Sequence, residues 1–243
     1  MVEFSSSSFT TVSIIVPTYK EVENLPILIR CIEQLKDQYS NLIIELLILD
    51  DNSNDGTEQL PELNQAWIRL IVRKENRGLS QAVIDGLKLA RHDIIVVMDA
   101  DLSHPPEKIP EMIQHLNQGA DFVIGSRYIT GASIDGNWGI FRWLNSKLAT
   151  LLARPLTRVK DPMSGFFALS RASFQRHQNQ FNPTGYKIGL ELLVKCRFSE
   201  IHEIPIHFAI RQHGVSKLSI KEQFRYIQHL YQLLIYRYGN TNY

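Results

Sequence analysis

Apolar residues along this chain fall into two rhythms. Short runs rich in Ile, Val and Leu occupy residues 12–16, 43–49, 68–72, 94–98 and 122–125, each the length of a buried strand. Between them the apolar spacing stretches to about 3.6 residues, which predicts helices over 22–36, 78–90 and 106–117. Ala82, Val83, Leu87 and Ala90 keep that period, and Pro105-Pro106 stands where a helix begins. Strands alternating with helices indicate an α/β fold with a mostly parallel central sheet flanked by helices. After Gly125 the pattern turns basic, aromatic and irregular, with further strands expected at 165–169 and 201–208. No repeat or linker interrupts it, so residues 11–243 read as one domain with two lobes, 11–125 and 126–243.

Composition narrows the classes. With 243 residues and 44% hydrophobic content, the chain can bury a sizeable core. A formal net charge of +1 conceals a local bias, because residues 137–160 carry Arg142, Lys147, Arg154, Arg158 and Lys160 and no acid. These bases interleave with apolar residues and overall charge is near zero, which argues against a nucleic-acid binder. Cys31 and Cys196 sit among apolar or helical-pattern residues and suit buried free thiols in a reducing compartment. Residues 1–10 are Ser-rich, lack the marks of a signal peptide and read as a flexible tail. No stretch approaches the roughly 18 to 20 apolar residues that span a bilayer, so any membrane contact is expected at the surface.

Candidate chemistry clusters at three strand ends: Pro17-Thr18-Tyr19-Lys20-Glu21, Asp50-Asp51-Asn52-Ser53-Asn54-Asp55-Gly56 and Asp99-Ala100-Asp101. Each alone is an ordinary turn. In a parallel sheet these ends share one edge, where ligands of open α/β sheets bind. Tyr19, Glu21 and Asp50 would then face a base and ribose, and Asp99 and Asp101 would hold a hard cation, Mg²⁺ or Mn²⁺, against a diphosphate. Arg77-Gly78-Leu79-Ser80 opens a helix whose N-terminus suits either an anion or plain capping. Asp161-Pro162 reads as a turn before a strand or as an orienting group for an arginine. Lys187 and Glu191, at i and i+4, suit a surface ion pair. The histidines, His104 included, show no ligand spacing, and no zinc is assigned.

In order along the chain stand Val-Pro-Thr-Tyr-Lys-Glu, Leu-Asp-Asp-Asn-Ser-Asn-Asp-Gly-Thr, Met-Asp-Ala-Asp-Leu-Ser-His-Pro-Pro, Gly-Ser-Arg-Tyr, Ser-Gly-Phe-Phe-Ala-Leu and Arg-Gln-His-Gly-Val-Ser-Lys-Leu. From Ser13 to about Tyr238 this series resembles glycosyltransferase family two with its A-type nucleotide-sugar fold, and most of all the dolichol or polyprenyl phosphate mannose synthases. The resemblance implies that Pro17, Tyr19, Glu21, Ile48 and Asp50 hold the guanosine of GDP-mannose, while Asp99, Ala100 and Asp101 meet the diphosphate and a divalent cation. Ser103, where some relatives have Gln, would be a further, weaker metal ligand. Arg127, Arg211 and Lys217 would neutralise phosphates, with Arg127 on the acceptor side, and Lys187 would reach a phosphate too. It also implies a polyprenyl or dolichyl phosphate acceptor, inverting transfer, a place at the cytoplasmic face of a membrane and a small membrane-anchoring subunit as a partner. The first lobe would bind the nucleotide sugar, and the second would face acceptor and membrane.

Two amphipathic stretches bear on the lipid end. Ile140, Phe141, Leu144, Leu148, Leu151 and Leu152 share a helical face flanked by Trp138 and Trp143, and Ile220, Phe224, Ile227, Tyr231 and Leu234 share another beside Lys221, Arg225 and Arg237. Each suits either the headgroup layer or packing on the protein's own core. The enzymatic alternative transfers another sugar, such as glucose from UDP-glucose, to the same lipid. A non-catalytic phosphoacceptor module is the alternative from another class, but the Asp-Ala-Asp cluster has no role in it.

Overall fold

The computed structural model describes residues 9–136, 140–182, 187–210 and 220–239, with the backbone alone for 140–142 and 220–222. Its strands are β1 (Thr10–Thr18), β2 (Leu42–Asp50), β3 (Ile68–Val72), β4 (Ile94–Val97), β5 (Phe122–Ser126), β6 (Ser133–Ile134), β7 (Phe167–Ser170), β8 (Ile201–Pro205) and β9 (His207–Phe208). Its α-helices are α1 (Leu25–Gln38), α2 (Leu79–Leu89), α3 (Ile109–Asn117), α4 (Ile140–Ala153), α5 (Arg171–Gln175), α6 (Ile188–Lys195) and α7 (Ile220–Tyr238). Seven strands form one sheet in the order β3-β2-β1-β4-β7-β5-β8, and β6 pairs with β9 in a separate ribbon. Pairing is parallel from β3 through β4 and between β5 and β8, while β7 runs antiparallel to both β4 and β5.

The unbroken apolar runs arise because both faces of the sheet are covered. Successive side chains alternate across a strand. Ile14 and Val16 therefore join Leu46, Ile48, Val96 and Met98 beneath α1 and α3, whereas Ile15, Leu47, Leu49, Ile95 and Val97 meet α2 and α6 on the other face. A third cluster packs α4, α6 and α7 together through Ala153, Leu190, Val194, Tyr226, Leu230 and Leu233.

The departures from the sequence pattern have local causes. Helix α1 starts at Leu25 rather than 22, because Glu21 carbonyl accepts from both Asn24 and Leu25 and turns the chain first. The start at 106 is a short 3₁₀ turn, Pro106–Lys108, with α3 beginning at Ile109. The single strand expected at 201–208 is split: β8 ends at Pro205, which lacks a backbone donor, and β9 leaves for the small ribbon. Tail residues 1–8 lie outside the described residues, as do Trp138, Arg211 and Lys217.

The two amphipathic faces turn outward. On α4, Leu144, Leu148 and Leu151 are 56%, 52% and 65% exposed, and on α7 Phe224, Ile227 and Tyr231 are 69%, 56% and 64% exposed. The buried side of α7 is instead Tyr226, His229, Leu230 and Leu233, with Leu234 half-buried against the same cluster. Tyr226 hydroxyl donates to Ala149 carbonyl at 2.7 Å, tying the two helices together. Among the described residues, no helix is long and apolar enough to cross a membrane.

Helix α2 lies so close to the sheet that a Cβ at Gly86 would stand 2.5 Å from Ile15 Cγ2 and 3.1 Å from Leu49 Cδ2. Gly86→Ala gains up to about 1 kcal/mol of helix propensity but overpacks a buried contact at a cost of about 1–3 kcal/mol. The expected net loss is about 1–2 kcal/mol, read as a lower urea midpoint at unchanged slope. An unchanged midpoint would mean that α2 lifts from the sheet without penalty.

Candidate active site

Parallel register brings the ends of β1, β2, β3 and β4 together. Thr18 lies opposite Asp50, Asp50 opposite Val72 and Ile15 opposite Val97, with Met98 N–H donating to Ile15 carbonyl at 3.1 Å. The loops beyond are cross-tied by their own side chains. Asp50 accepts from Thr18 Oγ1 at 2.9 Å, from Ser53 N–H at 2.8 Å and from Ser53 Oγ at 2.5 Å, while Lys20 N–H donates to Ser53 Oγ at 2.8 Å. Five non-glycine residues of these loops hold left-handed φ: Lys20 (61°), Asn52 (52°), Asn54 (51°), Asn76 (48°) and Leu102 (63°). For a residue as bulky as leucine that conformation is uncommon, and such outliers gather at functional sites.

The anion at the N-terminus of α2 is internal. Asp51 Oδ2 accepts from Gly78 N–H at 2.7 Å, and Asp51 Oδ1 pairs with Arg73, which also reaches Asp85 at 2.9 Å. Asp51 thus fixes the Arg77-Gly78 turn that opens α2. Arg77 guanidinium lies over the half-exposed Tyr19 ring, 5.1 Å from its centre.

The carboxylate loop after β4 is built from within. Asp101 is 4% exposed, and its Oδ1 accepts from Ser103 N–H at 3.1 Å and Ser103 Oγ at 2.6 Å. Ser103 therefore reaches the site by orienting Asp101. Asp99 is more open, and its backbone N–H donates to His104 Nδ1 at 3.0 Å. His104 is buried, stacked on Phe166 at 5.3 Å and edge-on to Phe208 at 5.6 Å. Burial above all lowers its pKa, with Asp99 and Asp101 opposing, so the ring is neutral and, with Nδ1 accepting, carries its hydrogen on Nε2. The spacing of the histidines does not announce this role of His104, which stands in the Asp-Leu-Ser-His-Pro-Pro stretch five residues after Asp99.

Across the cleft stands a buried ion pair. Asp161 accepts from Arg127 Nε at 2.7 Å, Nη2 at 2.8 Å and backbone N–H at 3.0 Å, the bidentate geometry in which this pairing is strongest. Burial pushes Asp161 up, but the charge and hydrogen bonds of Arg127 outweigh it and hold the carboxyl below its usual range. Glu203 of β8 fixes the turn by accepting from Lys160 and Asp161 N–H at 2.8 and 3.2 Å. The orienting role of Asp161 toward an arginine is thus the one the structure shows.

Lys187 caps α6 and donates to Met163 carbonyl at 3.1 Å. Glu191 turns away from it toward Lys195, so no surface ion pair forms between Lys187 and Glu191. Lys187 shares a cleft with Pro17, Asp99, Gly165 and Gly189. Burial, with the Arg127 charge adding, lowers its pKa to about 8 against the pull of Asp161 and Asp99.

A divalent cation fits this donor set. Asp99 and Asp101 offer two hard oxygen ligands at the sheet edge, and a Cβ at Gly165 would stand only 3.4 Å from Asp99 Oδ1, so the glycine keeps that side clear. Mg²⁺ and Mn²⁺ take one or two carboxylates and complete their shell with phosphate and water. Among the described residues no group of three or more His, Cys, Asp or Glu is arranged to hold a metal alone.

Residues 13–178 match a family described as Glycosyl transferase family 2. The chain belongs to that family. This glycosyltransferase is 42% identical over 246 residues to a dolichol-phosphate mannosyltransferase of Mycosarcoma maydis, covering 98% of this chain and 84% of that protein. It is 40% identical to one of Saccharomyces cerevisiae (95% and 89% covered) and 43% identical to one of Pyrococcus furiosus, where it spans 92% of this chain and 63% of the relative. A crystal structure of glucosyl-3-phosphoglycerate synthase from Mycobacterium tuberculosis, in complex with Mn²⁺, UDP and glucosyl-3-phosphoglycerate, superposes with a TM-score of 0.66 at 22% identity, covering 95% of this chain and 80% of that one. At that identity the likeness is one of fold, and it agrees with the A-type architecture.

The glycosyltransferase edge gathers Pro17, Tyr19, Glu21, Asp50, Asp99, Ala100 and Asp101 on adjoining strand ends, with Lys187 in the same cleft as Pro17 and Asp99. Ile48 stands apart from their surface, its side chain wholly inside the core. Arg127 is committed through two side-chain donors to Asp161, so its charge is compensated where it stands.

Asp161→Ala would strand the buried Arg127 guanidinium and is expected to cost about 3–5 kcal/mol, measured as a fall in denaturation midpoint. A loss of about 1 kcal/mol or less, that of a surface pair, would show that the pair holds nothing together. Lys187 is charged below its pKa of about 8 and loses that charge as pH rises through it. The glycosyltransferase is therefore expected to show an alkaline fall in kcat/KM for the donor centred near that pH, absent in Lys187→Met. A profile flat to pH 10, about the ordinary lysine value, would remove Lys187 from the site.

Proposed function

We propose that this glycosyltransferase moves mannose from GDP-mannose to dolichyl or polyprenyl phosphate, with a divalent cation held by Asp99 and Asp101, at the cytoplasmic face of a membrane. The observation that carries the reading is the single edge that joins an aromatic and carboxylate cluster for a nucleoside to a carboxylate pair for a metal diphosphate. The three relatives named dolichol-phosphate mannosyltransferase supply the acceptor and the sugar. The free thiols Cys31 and Cys196 suit a reducing compartment. The exposed apolar faces of α4 and α7 suit the lipid surface where the acceptor resides, or a small membrane-anchoring subunit on that surface.

In the reaction an acceptor phosphate oxygen attacks C1 of the sugar, the bond from C1 to the diphosphate oxygen breaks, and that electron pair leaves with GDP. One in-line displacement inverts the anomeric centre. A phosphate monoester has a second pKa of about 6 and is already a nucleophile near neutrality, so no side chain need remove a proton. What the site supplies is charge stabilisation for the leaving diphosphate. Lys187 contributes one positive charge beside the cleft, and Asp161 with Arg127 keeps the opposite wall fixed. Ser103 and His104 hold Asp101 and the Asp99 backbone in place. A cation bound at these carboxylates would act as a Lewis acid on the diphosphate. Arg211 and Lys217, by family resemblance, add positive charge for the phosphates.

The test is transfer of labelled mannose from GDP-mannose to a polyprenyl phosphate in detergent with Mn²⁺, with UDP-glucose in parallel. Mannolipid that needs the metal and falls about a hundred-fold or more in Asp101→Ala is the expected result. Glucolipid alone would overturn the donor, and no lipid product from either sugar would overturn the acceptor.

A further inference from the structure

Glu191 is 1% exposed on α6, yet it serves three separate stretches of chain. Its Oε1 accepts from Asn182 N–H at 2.9 Å and from Lys195 Nζ at 2.6 Å, and its Oε2 faces Nε2 of His229 on α7 at 3.4 Å. Its own backbone N–H donates to Lys187 carbonyl at 3.3 Å. One side chain thus ties Asn182 and Lys195 to α7, within the helix that Lys187 opens. Burial raises the Glu191 pKa, but the contacts with His229, Lys195 and Asn182 more than offset it and keep the carboxylate charged.

Carboxylate, ammonium and imidazole buried between two helices stabilise less than apolar groups of the same volume, and their best-attested use is to set register. Here the register belongs to α7, whose outer side carries the exposed Phe224, Ile227 and Tyr231. Beside the charged groups lies a cavity of about 270 Å³, lined also by Gln232 and Tyr236. Glu191 Oε2 and His229 Nε2 are buried at its wall without a hydrogen bond in the described structure. On its other side Glu191 is held by Asn182 N–H and by Lys195 of its own helix.

We infer that Glu191 is a positioning residue that couples the seating of α7 to the placement of Lys187, with His229 as the handle on α7. The inference rests on the function proposed above, in which Lys187 meets the donor phosphates. Through this link, whatever presses on the apolar side of α7 also sets the cation beside the donor.

A double-mutant cycle on the full chain tests it, with calorimetric Kd values for GDP and UDP in the presence of Mn²⁺. Lys187→Met is expected to weaken GDP about ten-fold and His229→Leu about five-fold, while the double variant is no weaker than Lys187→Met, because coupled sites fail to add. His229→Asn, a milder break, carries the same cycle if the leucine variant does not fold. Additive losses, or unchanged GDP affinity in both His229 variants, would overturn the coupling alone. A wild-type chain that binds neither nucleotide would overturn the site reading and this inference with it.

Discussion

Parallel pairing of β1 with β2 and β4, and of β2 with β3, is the constraint on which the site depends. A parallel ladder sends every carboxyl end to the same edge, and burial of both sheet faces leaves that edge as the place where polar loops emerge. Asp50, Asp51, Asp99 and Asp101 come from two strands separated by a third, yet meet because Thr18 lies beside Asp50 and Val97 beside Ile15. Part of this acidic set also ties the loops of the edge together. Asp51 is spent on Arg73 and the start of α2, and Asp50 on Thr18 and Ser53.

The opposite wall is built by charge pairing. Arg127 and Asp161 arrive from β5 and from the turn before β7, and neither is tolerable in the interior without the other. Their pairing leaves Lys187 as the cation whose charge responds to its surroundings, lowered by burial and by Arg127 and supported by Asp161 and Asp99. The wall is thus a sequence of alternating signs whose spacing comes from three elements.

Much of this was legible in the residues. The apolar runs located the strands, because a strand buried on two faces leaves no polar alternation to confuse it, and the clusters after those strands located the edge. Asp161 was ambiguous, since an Asp-Pro turn looks the same whether or not a guanidinium waits opposite. Lys187 and Glu191 were misleading: the i, i+4 spacing is real, but Lys187 is the cap of α6 and Glu191 points to Lys195 and His229. His104 was silent because its partner is a backbone N–H, which no side-chain pattern announces. Periodicity could show that α4 and α7 have apolar faces, but not that those faces turn outward, which depends on Ala149, Ala153 and Tyr226 taking the inner positions.

The left-handed residues at the edge carry one more consequence. Lys20, Asn52, Asn54, Asn76 and Leu102 hold conformations that an unfolded chain seldom visits, and Ser53, Asp50, Arg73 and Asp101 secure them with side-chain hydrogen bonds. These loops are set before anything binds, so association at this edge loses little conformational entropy in ordering them. A ligand that docks at this edge would meet loops already shaped by their own hydrogen bonds, and would be chosen by its fit to that shape.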